Sequence, residues 1–159
     1  YSLYSDQIRK KVDETLAADW SGLVQWAVDT LQDESRLEEV VRLIGTDSLS
    51  VKDRITLEVA RSIREDYLQQ NSFDATDSYT SIKKQYKMLS LIRAFAEGAY
   101  GADEAGLPFG DIYRGTAPVR ERLARMKSIP EENESAFEEI GREISAVFSR
   151  LIEEGGEQE

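Results

Sequence analysis

Apolar residues recur mostly three or four apart along this chain, and that spacing predicts helices. Over residues 21–44, Leu23, Val24, Ala27, Leu31, Leu37, Val40, Val41 and Ile44 form one stripe on one long helix. The spacing slips near Asp33, which predicts a kink there. Gly45 follows the last periodic residue, where a left-handed cap is expected, and Thr46-Asp47-Ser48-Leu49 is turn-prone. Ser50, with Asp53 three residues on, reads as the next N-cap. Ile55, Val59, Ile63 and Tyr67 then carry a helix to about Gln70. Residues 71–81 are polar and irregular, with Phe73 and Tyr79 set among them. A further helix over 82–97 would turn Ile82, Tyr86, Leu89, Ile92, Phe95 and Ala96 inward.

Residues 98–115 hold five of the ten glycines and predict a loop or a pair of short turns. Thr116 and Pro118 open a helix that includes Val119, Leu123 and Met126, and Pro130 breaks the chain again. The last helix is the clearest, with Phe137, Ile140, Ile144, Val147, Phe148 and Leu151 on one face. Glu138–Arg142 and Arg150–Glu154 stand four apart on its outer side, and Gly155-Gly156 is expected to end it. No internal repeat is evident, and the only strand expected is a short one at residues 1–4. The expected fold is all-α, a bundle of four to six helices.

Composition narrows the chemistry. The chain has 159 residues, which is one domain by size. It has no cysteine and no histidine, which excludes disulfides, thiolate nucleophiles, histidine triads and the usual zinc ligands. The formal charge is -11, which argues against tracking a nucleic-acid backbone. Ten acids and two bases fall in residues 131–159, a run that reads as a solvated helix face and an acidic tail over 155–159. No apolar run nears the roughly 20 residues that span a bilayer, and no secretory signal is visible, so a cytoplasmic setting is expected. The first residue is Tyr1 rather than Met, so the chain reads as a fragment or a processed product.

Several apparent sites lack their chemical residue. Gly101 and Gly106 have phosphate-loop spacing but lead into Leu107-Pro108, and Gly110 and Gly115 lead into Thr116-Ala117. Without the lysine there is no charge to meet the β- and γ-phosphates. Adjacent acids such as Glu38/Glu39, Glu65/Asp66 and Glu131/Glu132 point about 100° apart on a helix and make no catalytic pair. A carboxylate di-metal bundle would require histidine. No catalytic residue and no metal ligand is therefore assigned.

One set of segments is different. Residues 63–73, Ile-Arg-Glu-Asp-Tyr-Leu-Gln-Gln-Asn-Ser-Phe, closely resemble a motif of the catalytic A subunit, or alpha chain, of archaeal and vacuolar-type rotary ATP synthases. The match extends through Val59-Ala60-Arg61, Lys84-Gln85-Tyr86 and Ala124-Arg125-Met126-Lys127 to Ile129-Pro130-Glu131-Glu132. Tyr1-Ser2-Leu3-Tyr4 looks like the junction where that family's nucleotide domain ends. The F-type β subunit has an Ile-Gly-x-Asp-Glu-Leu-Ser-Glu-Glu-Asp lever that meets the rotating shaft. Residues 44–53, Ile-Gly-Thr-Asp-Ser-Leu-Ser-Val-Lys-Asp, lie at the corresponding place, with most of the acids missing and Lys52 added.

The resemblance implies a C-terminal helical bundle over residues 16–154, with residues 1–15 as a junction from an upstream nucleotide-binding domain. ATP or ADP and Mg²⁺ would be bound upstream, with no cofactor in this segment and no turnover from it alone. Gln70, Asn71, Ser72, Phe73 and Tyr79 would contribute to the adenine pocket, with Ser72 where the family usually has Ala. An aromatic face suits that role because it stacks on a base without reading phosphate. From the residues alone, Phe73 and Tyr79 read first as anchors of a loop on the bundle, and it is the resemblance that reverses this. Asp47, Leu49, Lys52 and Asp53 would meet the rotor. The implied partners are the non-catalytic B subunit and the central stalk, with no nucleic acid and the membrane reached only through the complex. A different class stays open, a free-standing acidic adaptor that binds a partner helix.

Overall fold

The computed structural model describes residues 2–69 and 81–157. Among these there are six α-helices and no strand. They are α1 Ser2–Ile44, α2 Val51–Ser62, α3 Ile82–Glu104, α4 Phe109–Gly115, α5 Ala117–Arg125 and α6 Glu134–Glu157. A π-helical turn, Ile63–Leu68, prolongs α2, and short 3₁₀ turns occupy Thr46–Ser48 and Met126–Ser128.

The first helix departs from the pattern in two ways. It begins at Ser2, so residues 2–4 are helical rather than extended, and it passes residue 15 without a break. It also carries no interruption at Asp33, because the inner stripe does not slip. Over residues 18–44, where the side chains are described, the buried positions are Leu23, Ala27, Thr30, Glu34 and Leu37, alternately four and three apart. Two of the five are polar, which is why an apolar count loses the register. Thr30 returns its hydroxyl to the Trp26 carbonyl at 2.9 Å. Glu34 accepts two bonds from Arg64 Nε, at 2.9 and 3.1 Å, and one from Nη2 at 2.8 Å. A forked pair of this kind offsets the desolvation of a buried carboxylate and ties α1 to α2.

Helix α3 lies at the centre, packed against α2 and α6 and touching the other helices. It runs past the expected end at Glu97, through Gly98 and Gly101. Gly98 is there for space: a Cβ built on it would collide with the Phe148 ring of α6. The helix stops at Gly106, whose φ of 92° needs no Cβ. There Leu107 N–H donates to the Ala102 carbonyl at 3.1 Å and Gly106 N–H to Asp103 at 2.9 Å, a Schellman closure. The inner face also differs from expectation. Ile82 is exposed, and Lys84, Met88, Leu91, Ile92, Phe95 and Ala99 are buried.

Residues 109–115 form α4 rather than a loop. Pro118 stands in the first turn of α5, but Thr116 does not cap it. Its hydroxyl bonds back to the Ile112 carbonyl at 2.8 Å. Helix α6 continues through Gly155-Gly156 to Glu157. Glu138–Arg142 and Arg150–Glu154 do not close as ion pairs, and Arg122 of α5 instead reaches Glu143 at 3.0 Å. One core joins Leu23 and Ala27 of α1, Ile55 and Val59 of α2, α3, and Ile140, Ile144 and Phe148 of α6.

Candidate functional site

The end of the α1–α2 hairpin is built by backbone constraint and one arginine. Gly45 has φ 88° and ψ 163°, so φ is positive as expected of a cap, but the residue is extended rather than left-handed helical. That region is essentially closed to residues with a Cβ. Ser48 Oγ donates back to the Gly45 carbonyl at 2.6 Å. Arg54 Nη2 donates to the Thr46 carbonyl at 3.3 Å and lies 3.6 Å from Asp47, and its guanidinium stands over the Phe109 ring. Ser50 Oγ accepts from the Asp53 amide at 3.1 Å, as the N-cap reading requires.

This geometry sorts the predicted tip residues. Asp47 and Lys52 are exposed and Asp53 is half-buried. Leu49 is only 8% exposed, folded back against the bundle, so it offers no side chain to a passing surface. The exposed apolar groups of the tip are Leu43 and Ile44, 76% and 68% exposed, at the last turn of α1. Ile44 ends the apolar stripe in sequence but is left exposed by the fold.

A second polar constellation lies where α2 ends and α3 begins. Gln70, Asn71, Ser72, Phe73 and Tyr79 fall outside the described residues. The positions that flank them are described. Lys127 Nζ donates to the Gln69 carbonyl, the Ser81 hydroxyl donates to Glu131 Oε1, and Lys84 Nζ donates to the Lys127 carbonyl. Ser81 Oγ also accepts from the Lys84 amide at 3.1 Å, capping α3. In the π-turn, Asp66 is buried and accepts from the Ser62 hydroxyl at 2.6 Å. Burial pushes its carboxyl above the usual value, and the Ser62 bond and the Arg61 charge pull the other way. Tyr67 donates to Gln85 Oε1 at 3.4 Å, and burial raises its phenol above the ordinary range.

Among the described residues no group of three or more acidic, histidine or cysteine side chains is placed to hold a metal. No helix there is long and apolar enough to cross a membrane. A groove between α5 and α6, floored by Val119 and Val147 and rimmed by Arg122, Arg125 and Arg150, contains none of the predicted site residues.

A family profile described as the C-terminal domain of V and A type ATP synthase matches residues 9–103, more than half of the chain. The chain belongs to that family. It is 47% identical over 155 residues to the V-type ATP synthase alpha chain of Thermoanaerobacter pseudethanolicus. It is 49% identical over 156 residues to the alpha chain of Clostridium perfringens strain SM101 and 46% identical over 156 residues to that of Streptococcus pyogenes serotype M3. Each alignment covers 98% of this chain and 26% of the relative, so the chain spans about a quarter of the relatives' length. In this V/A-type C-terminal domain, sequence reasoning missed the bonds made by Lys84, Lys127, Glu131 and Arg54 and the exposure of Leu43. For Lys84 a signal existed, because it stands four residues before Met88, on the inner register of α3.

Proposed function

We propose that this domain is the mechanical arm of an ion-translocating rotary ATPase head, converting nucleotide-driven swing into contact with the central stalk. The observation that carries it is the tip. Helix α1 has 43 residues and is unbroken, about 65 Å of stiff rod, and it doubles back through a constrained turn onto α2. Glu34 and Arg64 lock the two helices together well away from the turn. Leu43, Ile44, Asp47 and Lys52 then stand exposed where angular motion has most reach.

On this reading residues 1–15 join the bundle to a nucleotide-binding domain that holds ATP or ADP with Mg²⁺. Residues Gln70, Asn71, Ser72, Phe73 and Tyr79 line part of the adenine pocket. The non-catalytic B subunit and the central stalk are the neighbours, on the cytoplasmic side of a membrane reached only through the complex. Family membership supports this over the free-standing adaptor, which has no comparable observation behind it.

The test places single cysteines at Leu43, Asp47 and Lys52 in the assembled complex. Crosslinks to the central stalk in at least one rotational state are expected, and a cysteine at buried Leu49 should react poorly. Crosslinks to stator subunits alone, or none, would place the lever elsewhere.

A further inference from the structure

The outward stripe of α3 lies in a trough between two other helices. Tyr86, Ser90, Arg93 and Glu97 stand four, three and four apart, with Ala94 beside them, so they share one face of the helix. It is the face opposite Met88, Phe95 and Ala99, which are buried. Helices α1 and α6 both pack on α3 and leave this face open between them. On the α6 side, Tyr86, Leu91, Phe137 and Gly141 line a depression of about 330 Å³. On the α1 side, Ala18, Gly22, Ser90 and Ala94 line one of about 410 Å³. The two depressions share Tyr86 and Ser90, so they are two halves of one trough.

The halves differ in chemistry. The α6 half is apolar and aromatic: the Tyr86 ring stands 6.4 Å from Trp20, and the Lys87 ammonium stands 5.7 Å from the Phe137 ring. The α1 half is lined by small residues on both sides, Ala18 and Gly22 on one helix and Ser90 and Ala94 on the other, each pair four apart. A Cβ built on Gly22 meets nothing within 4 Å. Small side chains on both walls let the backbone of a docked helix come close. The rim is acidic, with Asp19, Glu97, Glu134 and Glu138 against Lys87 and Arg93. Both bases are already engaged, Lys87 with Glu134 at 3.2 Å and Arg93 with Glu97 at 3.4 Å. Asp19 and Glu138, one on each wall, are exposed and make no ion pair among the described residues.

We propose that this trough seats a basic amphipathic helix of another chain. Its apolar side chains enter the half lined by Tyr86 and Phe137, its backbone passes over Gly22 and Ser90, and its basic side chains meet Asp19 and Glu138. From Tyr86 to Glu97 the floor is about 16 Å long, roughly three turns, a length that matches a helix rather than a small molecule. An acidic helix would meet two uncompensated carboxylates. A second copy of this chain would bring a charge of -11 to an acidic rim. None of the tip residues lines the trough, so docking here leaves the stalk reading as it stands and needs no free-standing adaptor.

The test uses the full-length subunit that carries this chain and a labelled synthetic helix of about 20 residues, with leucine and alanine on one face and lysine on the other. One control has glutamate for every lysine, and a second is a scrambled sequence without the apolar face. Fluorescence anisotropy gives Kd at low and at physiological salt for the wild type, Gly22→Leu, Asp19→Lys and Glu138→Lys, and an unfolding midpoint is taken for each. The lysine helix should bind at least about 10-fold more tightly than either control. Gly22→Leu places a side chain where the docked backbone runs and should weaken binding by about 10-fold or more. Its fold should be kept, because the built Cβ meets open space. Each charge reversal should weaken binding about 3-fold at low salt and less at physiological salt, since exposed charges are screened. Both reversals are at exposed positions, so they report on the trough even where Gly22→Leu lowers the unfolding midpoint. Equal or tighter binding of the glutamate helix overturns the basic occupant. Binding unmoved by all three variants puts the helix elsewhere on the subunit and overturns the site. No binding of the lysine helix below about 1 mM overturns the proposal as well. Self-association of the subunit that Gly22→Leu abolishes, with no helix bound, gives the trough to a second copy and overturns it too.

Discussion

Asp66 is a carboxylate that folding makes harder to ionise. It is 4% exposed, and among the described residues the Ser62 hydroxyl donates to it at 2.6 Å. Burial is the largest influence and raises its pKa from the ordinary 3.8. With a raised folded value, the native state holds this proton more tightly than the unfolded chain does. Between 3.8 and the raised value the folded state therefore binds more protons, and this residue's contribution to stability falls as pH rises through that window. Above the window the loss is complete and constant. Asp66→Asn removes the titration while its carbonyl still accepts from Ser62. Urea unfolding from pH 3.5 to 7 should show the variant gaining on the wild type as pH rises above about 4, then levelling off. Any fixed cost of the buried amide shifts the whole difference and leaves the slope untouched. A difference that is flat across this range would show that the carboxyl titrates normally.

At the scale of elements, two glycines inside helices have opposite meanings, and only packing tells them apart. Gly22 of α1 faces open space, with nothing within 4 Å of a built Cβ. Gly98 of α3 faces the Phe148 ring. Alanine in a helix interior is favoured over glycine by about 0.8–1 kcal/mol, so Gly22→Ala should stabilise by roughly that amount. At Gly98 the same gain is opposed by overpacking against a buried ring that also stacks edge-on with Phe95, a cost of about 1–3 kcal/mol. Gly98→Ala should therefore destabilise, and chemical denaturation of the pair would show opposite signs. The α3–α6 contact explains why a glycine-rich stretch was legible only as a loop. Helix α3 continues through Gly98 because the tertiary contact outweighs a propensity cost that local sequence displays in full. The reverse holds for α6, where Phe137, Ile140, Ile144, Val147 and Phe148 were legible and are all buried. All five are apolar and belong to the one core, so period and burial agree. In α1 the stripe was legible in part, because Thr30 and Glu34 occupy core register and read as surface.

The whole molecule has one core shared by α1, α2, α3, α4, α5 and α6, and both tryptophans, Trp20 and Trp26, lie on α1. If α1 unfolds only with the rest, tryptophan fluorescence and the main far-UV circular dichroism transition of the isolated chain should share one denaturation midpoint. A fluorescence midpoint well below the dichroism one would show α1 detaching first, and the hairpin would then be a jointed lever rather than a stiff one. The all-α class, the existence of each long helix, the N-cap at Ser50 and the exclusion of thiol and histidine chemistry are properties of local sequence. They follow from side-chain period, from hydroxyls placed before amides and from residue types that are present or missing, and none of these needs a neighbour to be read. The family resemblance is likewise carried by ordered residues, and the match over 9–103 bears it out. What the tertiary structure alone decided is which polar residues are inside and which apolar ones are left out. Lys84, Glu34 and Asp66 are buried because a carbonyl of another element, a guanidinium 30 residues away and a hydroxyl one turn back meet them there. Leu43 and Ile44, at the last turn of α1, stay exposed, whereas Leu49 in the turn that follows is buried. Period reports what a residue prefers, whereas burial depends on what other elements bring to it, and that information lies elsewhere in the chain.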